Sequence, residues 1–307
     1  MNAPRLYTPE ATAAALPYPA LADAIAALLR DPSVRVPART VLPMPAGGTL
    51  FAMPATDARV AITKLISFVA DNAARGLPAI QGDVIVFDAR DGRRLALLDG
   101  PTVTARRTAA VSLLAAQRLA PRTDGPLLIV GAGVQGRAHL EAFASGLGVK
   151  QVRVASRSAA SADALVAHAH SLGLDASRVD DADAALADCP LVVSATPAQA
   201  ASLHATPRDD AFIAAVGAFT PAMLEWAPEV CRHIAARGAL AVDTRDADHE
   251  AGDLLQAGID VTAVPTLADW LDRPRPNGPV FFKSCGWAGW DLAAARLIAA
   301  ELITTDA

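Results

Sequence analysis

The sequence holds few of the residues that build disulfide frameworks or metal centres. Its three cysteines, Cys189, Cys231 and Cys285, are scattered and odd in number, so they predict neither a disulfide network nor a zinc site. The six histidines show no better pattern, since His168 and His170 stand two apart and point to different faces of a helix. We therefore expect buried thiols, no metal and a cytoplasmic location.

Long apolar runs and an excess of positive charge are also missing. No apolar run approaches about 18 residues, so the sequence predicts no membrane-spanning helix. The first residues lack a basic stretch followed by an apolar core, because Glu10 and Asp23 interrupt them, and we expect no signal peptide. The formal net charge of −5 argues against a nucleic acid or an anionic membrane as the partner.

The residues that are present divide the chain into two halves of different texture, and its 307 residues suit two domains. After an Ala-rich helix predicted at 18–30, short strand-like runs alternate with turn residues, which indicates a mainly antiparallel sheet with flanking helices. These runs are TLFAMPA, VAITKLISF, DVIVFDA and RLALLDG. The pair Asp91-Gly92, between the last two runs, is typical of a type I′ hairpin turn.

From Pro126 onwards, predicted strands alternate with helices or loops. These strands fall at 127–130, 152–156, 191–195, 212–216 and 240–242. The alternation predicts an α/β fold with a Rossmann-type, doubly wound parallel sheet, joined to the mainly antiparallel α+β domain. The last segment predicts an amphipathic helix at 287–302 that returns to the first half. We therefore expect a discontinuous first domain, 1–122 and 284–307, and a second domain at 123–283.

Glycines with a fixed spacing follow the first strand of the second half. The segment LLIVGAGVQG places Gly131, Gly133 and Gly136 after four apolar residues and before a predicted helix. The first permits a tight turn, the second leaves room for a pyrophosphate, and the third lets helix and strand pack closely. The strand–turn–helix–strand context supports a dinucleotide site, which a bare G-x-G-x-x-G does not. Val134 and Gln135 are predicted to belong to that site.

The end of the next strand predicts which dinucleotide binds. NAD sites usually carry Asp or Glu there, about 20 residues after the glycines, to hold the ribose 2′-hydroxyl. Here the residues are Ser156, Arg157 and Ser158, and a guanidinium with two hydroxyls suits a 2′-phosphate. The alternative is that Arg157 is a solvated loop residue. We predict NADP(H), with NAD(H) as the weaker alternative, and include Thr196 among the cofactor-binding residues.

Two cations in the first half stand in surroundings that do not explain them. Arg39 lies in the Pro-flanked segment RVPARTVLPMP. Lys64 interrupts the apolar run 60–69 and, in a strand, shares a face with Ile62 and Ile66. If that face is buried, Lys64 needs an anion as partner. The alternative is an edge-strand lysine that faces water.

A third cation, Arg107, follows Thr104, the predicted N-cap of a helix at 104–119. In a first helical turn a cation opposes the helix dipole, at a cost of about 0.3–1 kcal/mol, unless an anion docks there. The sequence alone does not decide between Arg107 and the adjacent Arg106. A nicotinamide domain supplies a hydride, so the simplest hypothesis is that these cations hold a small carboxylate as the acceptor.

Several segments jointly resemble one known family. They are ARTVLP, ITKL, RRTAAVSLLAAQRLAP, IVGAGVQGRAHLEAF, VGAFTP, HEAGDLLQAG and VFFKSCGWAGWDLAAARL. Along nearly its whole length the chain resembles the ornithine cyclodeaminase/mu-crystallin family. The segments NAARGLPAIQG and LDGPTVT further resemble the bacterial branch that reduces Δ1-pyrroline-2-carboxylate and Δ1-piperideine-2-carboxylate.

The resemblance implies roles for individual residues. It implies that Arg39, Lys64 and Arg107 surround the substrate carboxylate and the reacting carbon. It also implies that Thr108 lies near the cofactor and that Ser284 approaches the nicotinamide end. Members of the family are typically homodimers joined through the sheet of the first domain, which would then serve substrate binding and dimerisation.

One segment departs from the family pattern. Ornithine cyclodeaminases carry a catalytic Asp two residues before the proline of a G-G-D-x-P segment, where this sequence has Phe219 before Pro221. Because a phenyl ring cannot exchange a proton, we expect no cyclodeaminase activity. The expected reaction is NADPH-dependent reduction of cyclic ketimine carboxylates to L-proline or L-pipecolate, with Lys64 as carboxylate anchor or proton relay. The alternatives are an alanine-type amino-acid dehydrogenase or cyclodeaminase of this family, and a non-enzymatic NADPH-dependent binding protein of mu-crystallin type.

Overall fold

Two compact units make up the chain, which we describe from a computed structural model covering residues 3–304. The first unit combines Met1–Arg107 with Trp287–Ala307, and the second unit is Thr108–Gly286. The first unit is therefore discontinuous in sequence. The limits of the units fall at 107/108 and 286/287, whereas the domain boundaries at 122/123 and 283/284 stay a prediction.

The first unit contains a six-stranded sheet. Its strands are β1 Arg5–Leu6, β2 Thr40–Pro43, β3 Thr49–Thr56, β4 Val60–Phe68, β5 Ile80–Asp88 and β6 Arg94–Asp99. They lie in the order β1-β6-β5-β4-β3-β2, and all neighbours are antiparallel except β1 and β6. The predicted antiparallel sheet is confirmed in β3 to β6, while β1 and β2 lie outside the predicted strands.

The first unit also contains helices. They are α1 Pro9–Ala15, α2 Tyr18–Leu29, the start of α3 Gly100–Leu119, and the last helix of the chain, α10 Ala288–Thr304. The last helix packs against α2 and against β3, β4, β5 and β6. Within residues 3–304 no single helix is long and apolar enough to cross a membrane; α1 and α2 reach that length only together, across a 67° bend.

Strand β4 shows how the sheet separates a buried face from an exposed one. Ile62, Lys64 and Ile66 are each less than 8% exposed, whereas Leu65, on the other face, is 44% exposed. The alternation is that of a half-buried strand. The prediction that Lys64 shares a buried face with two isoleucines is confirmed, and the water-facing alternative is wrong.

The turn between β5 and β6 differs from the predicted type. Within residues 3–304 no residue other than glycine has a positive φ, so Asp91 does not, and Gly92 alone does with φ of 74°. A type I′ turn needs positive φ at both central residues. That prediction is therefore wrong. The connection is longer than a two-residue turn: the Gly92 N–H donates to the Asp88 carbonyl, and the Asp88 N–H donates to the Arg93 carbonyl.

Helix α3 begins earlier than the sequence indicates. It starts at Gly100, and the Asp99 carboxylate accepts the Thr102 N–H at 2.8 Å. Pro101 does not prevent this start, because a first-turn proline lacks only an N–H that has no partner within the helix. The prediction of Thr104 as the N-cap is therefore wrong. Arg107 lies beyond the first turn, so its charge does not oppose the helix dipole as the sequence suggested.

The second unit is built on a parallel seven-stranded sheet. Its strands are β7 Leu127–Val130, β8 Gln151–Ala155, β9 Asp175–Arg178, β10 Leu191–Ser194, β11 Phe212–Ala215, β12 Ala239–Val242 and β13 Val280–Lys283. The order is β12-β13-β11-β10-β7-β8-β9, with every neighbouring pair parallel. The predicted doubly wound α/β fold is confirmed, with β9 and β13 as additional strands.

Short apolar strands buried on both faces form the core of the second unit. All residues of β7, β10, β11 and β13 are buried, as expected for a parallel sheet covered on both sides. The helices of this unit are α4 Val134–Leu147, α5 Ala159–Ser171, α6 Ala182–Ala185, α7 Pro228–Arg237, α8 Gly252–Gln256 and α9 Leu267–Trp270. This core fixes the carboxyl ends of the strands, where the first candidate site lies.

Candidate active site

A cleft opens at the carboxyl ends of β7, β8 and β10 in the second unit. The chain passes from β7 to β8 on one side and returns to β10 on the other, so the strand order reverses here. Open α/β sheets bind ligands at such a reversal. The cleft has a volume of about 1040 Å³, comparable with the larger small-molecule sites of proteins.

The three glycines of the fingerprint each meet a different spatial requirement. Gly131 has φ of 108°, and a Cβ there would lie 2.6 Å from the carbonyl oxygen of Ala195. A Cβ on Gly136 would lie 2.0 Å from the carbonyl oxygen of Gly131. A Cβ on Gly133 would have no atom within 4 Å, and Gly133 caps α4 without any side chain. The open backbone at a helix N-terminus fits a pyrophosphate.

The predicted cofactor-binding residues divide into two groups by position. Those that line the cleft are Gly131, Gly133, Ser156, Arg157 and Thr196. Those outside its described lining are Thr108, Val134, Gln135, Gly136, Ser158 and Ser284. The Ser158 side chain caps α5 by accepting the Ser161 N–H at 3.2 Å, so its hydroxyl already has a partner. A role for any of these residues in cofactor binding stays a prediction.

The charges along the cleft have opposite signs. Arg157 carries the one Lys or Arg side chain among the described lining residues, and no carboxylate follows β8. Three aspartates that the sequence did not predict line the neighbouring wall: Asp180, Asp181 and Asp183. Asp181 caps α6, and Asp183 accepts two backbone N–H groups, from His204 and Ala205. These two carboxylates are thus engaged within the fold, and Asp180 pairs with Arg178 at 3.3 Å. Arg157, as the cation of the described lining, is the candidate partner of a 2′-phosphate.

A buried charged network holds one edge of the cleft. The Glu225 carboxylate accepts hydrogen bonds from the N–H and the hydroxyl of Thr196 and from the N–H of Gly217, at 2.7–2.9 Å. Asp253 accepts the Glu225 N–H and lies 2.7 Å from Nζ of Lys283. Burial raises the pKa of Glu225. Burial alone would lower the pKa of Lys283, but the negative charges around it, that of Asp253 foremost, together outweigh burial and raise this pKa. Hydrogen bonds to Glu225 therefore hold Thr196 in place, and the sequence did not predict this network.

A second carboxylate holds the loop that contains Ser284. Asp243, at the end of β12, accepts the Ser284 hydroxyl at 2.8 Å and the N–H groups of Cys285 and Gly286 at 3.0 and 2.9 Å. All of these groups are buried, which limits the movement of the loop. The hydroxyl of Ser284 is thereby directed at Asp243. Its approach to the nicotinamide stays a prediction.

In the first unit, three buried charged side chains form what we call the Lys64–Arg107–Asp291 cluster. Nζ of Lys64 lies 2.8 Å from Oδ2 of Asp291, and Nε of Arg107 lies 3.5 Å from Oδ1. The side chains are 1%, 8% and 0% exposed, in the order of the name. Two cations share one carboxylate, so the fully ionised cluster has a net positive charge. It therefore has the charge to accept one further anion.

Neighbouring arginines of α3 point to different partners. Nε of Arg106 donates to the carbonyl oxygen of Leu16 at 2.7 Å, and its guanidinium lies 3.9 Å from the ring centroid of Tyr18. Arg107, by contrast, belongs to the cluster. The structure thus separates the two arginines by their contacts: Arg106 binds within the fold, and Arg107 lies in the cluster. A contact of Arg107 with a ligand stays a prediction.

The cluster changes the titration of its lysine. Burial lowers the pKa of Lys64 from 10.5 to about 8; Asp291 opposes the fall, and the positive charges of Arg107 and Arg39 add to it. Arg39 is half-buried, with its guanidinium carbon 6.0 Å from the ring centroid of Phe51. Lys64 is thus still mainly protonated at neutral pH but is poised close to that range.

Asp291 is the anion that a buried Lys64 requires, yet the sequence analysis did not include it in the predicted site. It lies in the first turn of α10, where the helix dipole stabilises a negative charge. One signal in the sequence pointed to it: between Cys285 and Ala295 it is the sole charged residue. An acid in an otherwise apolar, buried helix needs a partner, and the sequence offered Lys64 far along the chain.

Comparison with known proteins shows the relationships of the chain. The profile of the ornithine cyclodeaminase/mu-crystallin family matches residues 16–305. The chain belongs to this family. The predicted resemblance to the ornithine cyclodeaminase/mu-crystallin family is therefore confirmed.

Three members or neighbours illustrate the similarity. The chain is 40% identical to Delta(1)-pyrroline-2-carboxylate reductase 1 of Burkholderia multivorans, over 93% of this chain and 92% of that protein. It is 38% identical to the Delta(1)-pyrroline-2-carboxylate/Delta(1)-piperideine-2-carboxylate reductase of Azospirillum brasilense, over 93% and 92%. The solved iminosuccinate reductase of Paracoccus denitrificans, in complex with NAD⁺, superposes with a TM-score of 0.83 at 25% identity, covering 98% of this chain and 94% of that one.

Proposed function

We propose that this protein reduces cyclic ketimine carboxylates, Δ1-pyrroline-2-carboxylate and Δ1-piperideine-2-carboxylate, to L-proline and L-pipecolate. The observation that carries the proposal is the buried cluster in which Lys64 and Arg107 share the single carboxylate of Asp291. A net positive, desolvated site suits a small carboxylate as ligand. The curated relatives that are 40% and 38% identical act, by name, on these imino acids, which supports the same substrate class.

Lys64 and Arg107 would divide the work of anchoring the substrate. The guanidinium of Arg107 presents a planar array of donors, and the ammonium of Lys64 acts as a point charge. Together with Arg39 they would fix the orientation of the carboxylate and so the direction in which the adjacent imine carbon faces. When bound, NADPH supplies the hydride that this carbon accepts. A ring nitrogen that arrives protonated needs no acid from the protein.

The preference for NADPH belongs to the same proposal. Arg157 and Ser156 line the cleft directly after β8, at the position where NAD sites usually carry Asp or Glu; the aspartates of this cleft belong to the neighbouring wall. A guanidinium there favours a 2′-phosphate. The structural neighbour from Paracoccus denitrificans holds NAD⁺, which supports a nicotinamide cofactor in this fold and makes NADH the comparison cofactor.

We further infer that the protein is a cytoplasmic homodimer joined through the sheet of the first unit. Leu65, on the sheet face opposite to Lys64, is 44% exposed, and Val41 and Leu42 of β2 are 52% and 55% exposed. Apolar residues left exposed on one sheet favour a second copy as partner. Sedimentation of the wild type, compared with Leu65→Glu, tests this: we expect a dimer that the charge weakens, and a monomeric wild type contradicts it.

Steady-state oxidation of NADPH tests the proposed reaction. We expect kcat/KM for both cyclic imines to exceed that for pyruvate with ammonia by at least 100-fold, or about 2.7 kcal/mol. L-Ornithine should yield no proline, because Phe219 replaces the catalytic acid of the cyclodeaminases. Preferential turnover of pyruvate, or efficient conversion of ornithine, contradicts the proposal. Tight binding of an aromatic ligand without any imine turnover contradicts it as well.

A further inference from the structure

Asp291 supplies the carboxylate that both buried cations, Lys64 and Arg107, contact. It lies in the first turn of α10, the helix that packs on β4 across from Lys64. The charged groups that act on Lys64 come from three elements: Asp291 from α10, Arg107 from α3 and Arg39 from the segment before β2. Asp291 is the one anion among them. Among the described residues, neither carboxylate oxygen of Asp291 nor the Nε of Arg107 has a partner in hydrogen-bond geometry, so Asp291 holds the two cations as ion pairs.

We propose that Asp291 is a positioning residue that holds the Lys64 ammonium in place and keeps it protonated over the pH range in which the substrate carboxylate binds. The inference rests on the proposed function, because that function assigns Lys64 to the substrate carboxylate. Asp291 acts through Lys64 and need not touch the substrate. Its contribution should therefore depend on pH, whereas the contribution of a purely structural carboxylate should not.

The physical reason is a balance of opposing effects on one amine. Burial and the nearby positive charges of Arg107 and Arg39 disfavour the ammonium form of Lys64, and Asp291 favours it. With Asp291 present, the pKa of Lys64 is about 8. If the carboxylate is replaced by an amide, only the disfavouring effects remain, so Lys64 loses its proton at a lower pH. A neutral amine has no net charge with which to attract a carboxylate.

The test compares the pH dependence of kcat/KM for the wild type and for Asp291→Asn. This quantity reports the titration of the free enzyme and free substrate, and the titration of the substrate cancels in the ratio of the two proteins. We expect the loss of activity at high pH to begin at least one pH unit lower in Asp291→Asn. The ratio of wild-type to variant kcat/KM should then grow roughly tenfold between pH 6 and pH 9.

A matched control is a carboxylate that pairs with the same helix, α10. Asp57 is also a buried carboxylate of the first unit, and it pairs with Arg296 of α10 while accepting the N–H groups of Arg59 and Val60. Asp57→Asn should lower stability without moving the pH profile. A ratio for Asp291→Asn that stays constant with pH, or an equal shift in Asp57→Asn, overturns the proposal.

A second variant separates charge from placement. Asp291→Glu keeps the negative charge but moves it along a longer side chain. We expect it to retain the wild-type high-pH limb while lowering kcat/KM through poorer placement of Lys64. If Asp291→Asn does not fold, Asp291→Glu still decides, because a high-pH limb displaced by a full pH unit in this variant contradicts a role of the charge.

A readout that needs no substrate separates this inference from the proposed function. The unfolding free energy of the two proteins is measured in denaturant from pH 6 to pH 8. Folded Asp291→Asn binds fewer protons than the folded wild type in this range, so the stability advantage of the wild type should shrink as the pH rises. A difference that is independent of pH overturns the role of Asp291, even if the wild type proves to reduce no cyclic imine.

Discussion

Replacing Lys64 by Met is the sharpest perturbation of the proposed site. Methionine keeps the volume of the stem and removes the charge. Two effects on stability oppose each other. The depressed pKa of Lys64, about 8 instead of 10.5, corresponds to a net cost of about 3 kcal/mol for the ammonium form, with burial, the nearby arginines and Asp291 all included, and the variant does not bear this cost. Loss of the nearest cation leaves Asp291 less well paired, at a cost of about 3–5 kcal/mol, reduced by Arg107 at 3.5 Å.

These terms are of similar size, so we expect Lys64→Met to fold with only a modest loss of stability. Activity should change far more. A charge-assisted hydrogen bond to the substrate carboxylate is worth about 1.5–3 kcal/mol, and misalignment of the imine adds to its loss. The expected fall in kcat/KM is therefore about 100-fold or more, or about 2.7 kcal/mol of transition-state stabilisation.

The assay follows NADPH oxidation with each cyclic imine, alongside a separate titration of NADPH fluorescence. Lys64 belongs to the first unit and the dinucleotide cleft to the second, so the affinity for NADPH should change little. Circular dichroism and thermal unfolding serve as controls of folding. A Lys64→Met protein that folds, binds NADPH and retains kcat/KM close to the wild-type value refutes the assignment of Lys64 as an anchor.

Three further predictions concern the other predicted residues. Arg157→Ala should raise the Kd of NADPH by about 10- to 150-fold, the loss of one charge-assisted contact, with little change for NADH; an equal change in both titrations contradicts the 2′-phosphate role. Gly133→Ala should keep its Tm and bind either dinucleotide at least 10-fold more weakly, whereas Gly136→Ala, whose Cβ would lie 2.0 Å from a backbone oxygen, should lose about 1–3 kcal/mol of stability in denaturant titrations. The main effect of Arg106→Ala should be a lower Tm, and the main effect of Arg107→Ala should be a lower kcat/KM. Identical behaviour of the two variants in both assays contradicts their separate roles.

Local patterns in the sequence predict the elements of this fold well. The alternation along β4 places Lys64 on a buried face, and the spacing of Gly131, Gly133 and Gly136 marks the turn after β7. Both patterns depend on residues that are close in sequence, where strand and turn geometry impose strict requirements. Such features can be read without knowledge of the rest of the chain.

Contacts between residues that are far apart in the sequence cannot be predicted from local patterns. The partner of Lys64 is Asp291, more than 200 residues away, and only the packing of α10 on the sheet brings them together. The network of Glu225 beneath Thr196 likewise joins loops that local pattern does not connect. Strand β13 escapes prediction because a short apolar run does not reveal its place between β11 and β12.

The start of α3 shows a different limit. Gly100 and Pro101 are helix breakers in an interior but are acceptable in a first turn, so composition alone points to a later start than the one observed. The error removed the argument from the helix dipole for Arg107, while the residue itself remains in the candidate site through its contact with Asp291. The role of Arg107 at the site stays a prediction, which now depends on this contact and not on the helix dipole.

Transfer of a labelled hydride tests the central claim most directly. The protein is incubated with Δ1-pyrroline-2-carboxylate and NADPH deuterated at both C4 positions, and the amino acid formed is separated on a chiral column and analysed by mass spectrometry. The proposed function predicts L-proline with one deuterium at C2. Absence of proline, or proline without deuterium at C2, contradicts it.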